Sequence, residues 1–525
     1  MLRLKVLGLL TLLALGGVWA QSNPPLVVGA DAGSPTFIDN FNPFNGQRMG
    51  RLFMYEPLAI INPFSGQATP WLATSWHFTD PLTLVVQVRS GVKWSDGVPF
   101  TAQDVAFTFN LLKQYPPLDS AGLWQVLKSV EAKGSEVVFH YATPAVPTLS
   151  QILSTPIVPE HVWAKVKDPV KYTDPNPVVT GPYVLASFAP YEYILKKNPL
   201  YWQASKVQVP EIVFPSTPSN NQLFELKLAD GKYDWAYVFI PDVQSTYASK
   251  SPYNRYWFAQ GGIVGLFMNL KKPPFTDPAF RRAIAYAINR VAIAAKAEYG
   301  YVTIAPQSLL TMPAQKAWLN PALPNQGYIP YDPAKAKQIL EQAGYTWNAQ
   351  GQLEQDGHTI SFTLQIPTGW TDWIQTSTII AQDLGKLGIQ VNVITPTAGV
   401  VFADQSDGNF EASLSGAGGQ PDPYWSYYYL LNPHNTYGWV SQKTTQLLDN
   451  WRATVNLAQQ KHDAYELQSI LFQKVPFIPL FYGGLWNEYN TQHYVGWPSP
   501  SDPYTSPTPW MAGAPLMVVT HLHPR

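Results

Sequence analysis

Nineteen Trp and 29 Tyr stand in a chain of 525 residues in which aromatic side chains (14%) outnumber charged ones (13%). Flat rings with a polar edge suit a site that stacks on the faces of a ligand while hydrogen-bonding its rim. Two concentrations invite that chemistry: the pair Trp370 and Trp373, and the run Pro423-Tyr424-Trp425-Ser426-Tyr427-Tyr428-Tyr429. Core packing is the alternative for any one ring. The 35 acidic residues would also allow the paired carboxylates of a glycosidase, but no glycosidase motif accompanies them. Nine His residues are scattered, and the one close pair, His521 and His523, sits at the C-terminus, where a flexible exposed end is expected rather than a metal site. With no Cys there is no disulfide, thiolate metal site or cysteine nucleophile. Nothing calls for a cofactor.

Composition narrows the partners. The balance of 34 basic against 35 acidic residues, a net charge of −1, argues against nucleic acid or an anionic membrane. Arg3 and Lys5 precede an uncharged apolar run from Val6 to Val18, and Val18-Trp19-Ala20 offers small residues at both positions a signal peptidase reads. Residues 1–20 therefore read as a signal peptide cleaved after Ala20. The run is shorter than the roughly 20 apolar residues that span a bilayer. Without a Cys to lipidate, a freely diffusing periplasmic monomer is expected.

The elements that would position these residues alternate between strand and helix, the pattern of an α/β chain too long for one core. Strands are expected at Pro25 to Gly29, Leu82 to Arg89, Glu136 to Tyr141, Val184 to Leu195, Ile212 to Phe214, Ile263 to Asn269 and Ile360 to Ile366. Helices are expected at Ala102 to Gln114, Asn220 to Ala229, Pro278 to Ala297, Pro333 to Ala343 and Trp373 to Leu387, while Arg51 to Ile61 reads as a helix running into a short strand. Thr101 is placed to cap the first long helix, with Asp104 strengthening its first turn. Arg281 and Arg282 read as a solvated helix face. The proline-punctuated stretch DPVKYTDPNP, Asp168 to Pro177, marks a domain transition.

Several segments resemble the extracytoplasmic solute-binding proteins of peptide and related ABC transporters, the family of oligopeptide-, dipeptide- and nickel-binding proteins. Val92 to Phe107, VKWSDGVPFTAQDVAF, is similar to the family pattern W-[ST]-D-G-x-P-[FVL]-T-A-x-D-V-x-[FY] nearly position for position. Thr180-Gly181-Pro182-Tyr183, Asn198-Pro199-Leu200-Tyr201-Trp202, FTDPAFRRAIAYAINR (275–290), YDPAKAKQILEQAGY (331–345) and VPFIPLFY (475–482) follow in the family's order. These motifs read as architecture: Trp94 packs a strand end and Ser95-Asp96-Gly97 makes a turn.

The resemblance implies a two-lobed periplasmic binding protein of type II with an extra domain, mixed sheets flanked by helices, and a hinge of two crossover strands near residues 265 and 490. Lobe I would comprise 21–61, 177–265 and 491–525, the extra domain 62–176, and lobe II 266–490. The implied activity is capture of a small ligand by hinge closure and delivery to ABC permease subunits, without catalysis.

Peptide binders of the family hold the ligand's α-ammonium with an Asp in a segment resembling A-D-Y-x-[DE]-P. Here that Asp aligns with Gly419 in Gly418-Gly419-Gln420-Pro421-Asp422-Pro423. A buried ammonium without a counter-charge is costly, so a sugar is the first expectation and a peptide, with Asp422 as substitute anchor, the second. The aromatic run after it suits the family's branch that resembles cellobiose- and β-glucoside-binding proteins, for gluco- or manno-oligosaccharides. Sugar rings present apolar C–H faces girdled by hydroxyls. Trp370 and Trp425 are expected to stack on them, with Trp373 and Tyr424 alongside. Asn269, Gln420 and Asn487 are expected to bond hydroxyls.

Overall fold

In the computed structural model, which describes residues 23–29, 36–46, 48–218, 221–418 and 422–525, the strands form three principal sheets. The apolar run Leu26–Gly29 becomes the centre of a seven-stranded sheet, paired parallel with Glu211–Pro215 on one side and Trp235–Tyr237 on the other. Leu26, Ile212, Phe214 and Trp235 are fully buried, as expected of strands covered on both faces. A hairpin, Tyr183–Ala189 with Glu192–Lys197, closes one edge; Asn487–Asn490 and Asn254–Tyr256 form the other. The single strand expected from Val184 to Leu195 is thus two strands, because Pro190 cannot donate to a ladder and sits in the turn.

The second sheet has five strands, in the order Gln390–Ile394, Ser361–Gln365, Ala412–Ala417, Ala259–Met268, Phe477–Leu485. Successive residues of its last strand face opposite sides: Ile478 joins a core with Leu266, Phe280, Ile284, Leu340 and Ile380, while Phe477 joins one with Tyr427, Leu448, Trp451 and Leu467. Helices therefore cover both faces. The third sheet, four antiparallel strands between residues 73 and 141, is crossed by the helix Ala102–Gln114. That helix starts where local chemistry puts it: Thr101 Oγ1 accepts from Gln103 N at 3.2 Å and Asp104 accepts from Thr101 N at 2.9 Å. Trp94 is fully buried, edge-on to Phe100.

The chain leaves the seven-stranded sheet after Tyr256 and enters the five-stranded one at Ala259; it returns between Leu485 and Asn487. The two crossings pair with each other, Ala259 with Leu485 and Gln260 with Gly484. Both lie a few residues before the expected 265 and 490. Gln260-Gly261-Gly262 lacks the β-branched and aromatic residues that announce a strand, which concealed the first half of Ala259–Met268.

Three further expectations are corrected. The helix expected from Pro278 to Ala297 is two, Pro278–Ala287 and Arg290–Lys296, because the Asn289 side chain accepts from Ala292 N at 2.9 Å and restarts it. Arg281 is not solvated: it is 5% exposed, and its guanidinium donates to Phe275 O at 2.6 Å and Lys474 O at 2.9 Å. Arg282 does face solvent. The C-terminus is not a loose tail, since His523–Pro524 pairs with Tyr494–Val495 and the His521 ring stacks on Tyr504 at 4.2 Å. The segment expected as a signal peptide lies outside the described residues.

Candidate functional site

A cavity of about 930 Å³ opens where the two crossings leave the large sheets. Glycine shapes its floor. Gly261, Gly262, Gly483 and Gly484 lie on the paired crossing strands and line it, so no side chain fills the space above them. A Cβ on Gly484 would stand 2.2 Å from Trp486 Cζ3, showing how closely that ring lies over the strand.

Both large sheets contribute walls. From the side of the seven-stranded sheet come Tyr237, Phe239, Trp510 and, from the helix Asn221–Ala229, Gln222 and Glu225. From the side of the five-stranded sheet come Trp370, Asp372 and Trp373 at the start of the helix Thr371–Gly385, Phe402, Phe481 and Trp486. The rings support one another edge-to-face: Trp370 lies 4.7 Å from Trp373 at 78°, Trp486 lies 5.0 Å from Phe239, and Tyr237 lies 5.4 Å from Trp510 at 86°. Trp370 keeps 38% of its surface exposed.

The charge of the lining has one sign. Glu225, Glu298 and Asp372 line the cavity, and among the described residues no Lys, Arg or His does. Burial raises all three carboxyls above their ordinary range, Glu298 to about 9, with the Asp372 charge adding to its shift. Behind them Glu488 is fully buried; its carboxylate accepts from Val238 N at 3.3 Å, and burial holds it well above the usual range.

Of the residues singled out in the sequence, Trp370 and Trp373 come together on this wall. The others do not. Trp425 donates its indole N–H to Pro147 O at 3.0 Å and packs among Tyr424, Tyr428 and Tyr429. Tyr424 is 3% exposed, in the core. Asp422 caps the helix Pro423–Leu431, accepting from Tyr424 N at 2.9 Å, and burial pushes its carboxyl up to about 6. Asn269 is 1% exposed and fully engaged: its amide donates to Gly408 O and Phe410 O, and its side-chain carbonyl accepts from Lys271 N. Asn487 is buried, donating to Leu485 O at 2.7 Å. Gln420, with Gly419, lies outside the described residues. Sequence reasoning missed Tyr237, Glu298, Asp372, Phe402 and Trp510. Asp372 was legible in Trp370-Thr371-Asp372-Trp373; the glycine pairs 261–262 and 483–484, beside apolar strands, were a signal for the floor.

No helix among the described residues is long and apolar enough to cross a membrane, and among them no group of three or more His, Cys, Asp or Glu could hold a metal ion.

Residues 67–438 match the family model described as bacterial extracellular solute-binding proteins, family 5 Middle. The glutathione-binding protein GsiB of Salmonella paratyphi A is 26% identical over 434 residues, covering 76% of this chain and 78% of that protein. The nickel-binding periplasmic protein of Escherichia coli is 26% identical over 405 residues, 72% of each. Crystal structures of the periplasmic oligopeptide-binding protein of an oligopeptide ABC transporter from Thermotoga maritima are 28% identical and cover 99% of that chain. One covers 95% of this chain with a TM-score of 0.87; the other, with mannohexaose bound, covers 96% with a TM-score of 0.81.

Proposed function

Because the chain belongs to the bacterial extracellular solute-binding proteins of family 5, we propose that it captures an oligosaccharide between its two large sheets and delivers it to an ABC importer. The family fold, a periplasmic binding protein with mixed sheets flanked by helices, sets the frame, and the relatives are binding proteins rather than enzymes. The observation that carries the sugar reading is the lining: stacking rings on both walls, carboxyl groups between them, and no cation among the described residues. A β-linked gluco- or manno-oligosaccharide suits it, since rings cover C–H faces while carboxyls bond hydroxyls. A ligand bearing its own carboxylate would enter against Glu225 and Asp372, with no counter-charge on the lining among the described residues. The mannohexaose-bound relative supports the same ligand class.

The hinge of this reading is the pair of crossings at 257–258 and 486, dividing the chain near the boundaries expected from the sequence: lobe I with its extra domain, and lobe II. Closure is favoured by contacts made only when ligand joins the lobes, so affinity and closure are one free energy. Export, a periplasmic location, a monomeric state and handover to membrane permease subunits belong to the same reading.

A peptide is the second reading, favoured by Asp372 and Glu225, either of which could face an α-ammonium. Asp422, the substitute anchor considered from the sequence, is a helix cap that does not line the cavity. Isothermal titration with cello- and manno-oligosaccharides, glutathione and a mixed peptide pool separates the two. One-to-one binding of an oligosaccharide, with no heat from glutathione, is expected; saturable binding of peptides alone would overturn the sugar reading.

A further inference from the structure

Glu298 lines the cavity with its hydrogen bonding incomplete. It stands two residues past the helix Arg290–Lys296, held by bonds from its own N–H to Ile293 O at 3.3 Å and from Tyr301 N to its carbonyl at 2.9 Å. The side chain is fully buried. Oε1 accepts from the Thr376 hydroxyl at 3.4 Å, whereas Oε2 has no partner among the described residues. Buried polar atoms are rarely left so without reason, and a site for ligand is one such reason. Thr376 and Asp372 belong to one helix, Thr371–Gly385, whose N-cap is Trp370 and whose first turn carries Trp373. The group thus sits beside the rings that would stack on a sugar.

On the reading that the ligand is a neutral oligosaccharide, we infer that Glu298 and Asp372 form a specificity subsite for two ligand hydroxyls, Glu298 donating through Oε2 and Asp372 accepting. A hydroxyl is both donor and acceptor, so an acid beside a carboxylate satisfies two of them in complementary senses. The protonation needed is the one burial favours: the Glu298 carboxyl is raised to about 9 by desolvation and by the Asp372 charge. The remaining titratable groups on the cavity are Glu225 and Tyr237 on the opposite wall, and burial holds the Tyr237 phenol above its usual range. With no Lys, Arg or His on the lining among the described residues, no cation there stabilises a second charge on the pair. Such a subsite discriminates because an analogue lacking the hydroxyl leaves buried groups unpaired.

The test is calorimetric titration of the whole protein with mannohexaose and with cellotetraose, between about pH 6 and 9.5, for wild type, E298Q, E298L and D372N. The subsite predicts that E298L loses about tenfold or more in affinity. E298Q, whose amide donates from the same place, should stay within about threefold of wild type at neutral pH. It should also hold its affinity at the alkaline end, where wild type weakens as Glu298 ionises. D372N should weaken binding without removing the alkaline fall. E298L binding like wild type, or E298Q sharing the wild-type alkaline fall, overturns the subsite while leaving the sugar reading intact. A wild type that binds neither sugar overturns the reading on which the subsite rests. Should E298L fail to fold in a melt, the E298Q profile decides alone.

Discussion

The indole N–H of Trp425 donates to the carbonyl of Pro147 at 3.0 Å, across 278 residues of sequence. It ties the helix Pro423–Leu431, packed on the five-stranded sheet, to the turn Val146–Thr148 beside the four-stranded one. The bond lies away from the cavity lining and, on the proposed division, joins one lobe to the other. W425F keeps the ring and removes the donor. Ligand affinity is expected to fall about fivefold, the worth of one neutral hydrogen bond of about 1 kcal/mol. Titration calorimetry reads this, and unchanged affinity would mean that the contact does not depend on closure.

Trp370 offers the opposite balance. More than a third of its surface is exposed, so its loss removes little core packing. W370A should cost about 2 kcal/mol of binding, roughly thirtyfold in affinity, as a central aromatic contact does. The melting temperature without ligand should move by less than about 2 °C, well under the shift from 1 kcal/mol in smaller domains.

Gly484 has no room for a methyl group, with Trp486 Cζ3 2.2 Å from the Cβ position. G484A must displace the Trp486 ring, which itself lines the cavity. Overpacking of about 1–3 kcal/mol is expected in urea unfolding, together with weaker ligand binding. Wild-type values for both would show that the ring is free to swing aside.

Stability should decline as the solution becomes alkaline. Burial raises Asp174 and Asp422 from 3.8 to about 6, Glu56 from 4.5 to about 7 and Glu298 from 4.5 to about 9. Between each pair of values the folded protein binds more protons than the unfolded chain, so unfolding free energy falls with rising pH. The contribution of each group is fully present below its unfolded value and is lost as pH climbs through the folded one. Melting temperature should thus be higher near pH 4 than at neutrality and fall stepwise toward pH 9. Glu56 has a local signature, because its carboxylate accepts from the indoles of Trp71 at 2.5 Å and Trp202 at 3.0 Å. E56Q should flatten the slope between about pH 4.5 and 7 and leave the alkaline limb unchanged.

What the sequence disclosed follows the range of the interactions involved. The helix Ala102–Gln114 was legible to the residue because its start depends on Thr101 and Asp104, three positions apart. Trp370 and Trp373 were legible as a wall because one helical turn carries both. Asn289 was not legible as a break, since nothing in the apolar spacing around it changes when its side chain captures a backbone amide. Arg281 could not be read as buried because the carbonyls of Lys474 and Val475 that hold it lie 193 and 194 residues away. Asn269 misled for the same reason: an Asn at a strand end near a crossing is equally suited to binding ligand and to tying down the loop at Gly408 and Phe410. Glu298 on one wall and Tyr237 and Trp510 on the other share a cavity only once the two crossings bring their segments together.

The central claim, that the cleft around Trp370 and Trp486 takes an oligosaccharide, is tested most directly by a crystal structure of the protein with a bound manno- or cello-oligosaccharide. Sugar rings within about 4 Å of the Trp370 or Trp486 rings, contact distance for packed groups, with hydroxyls on Glu298 or Asp372, are the predicted result. A bound oligosaccharide that touches none of these four side chains would contradict it.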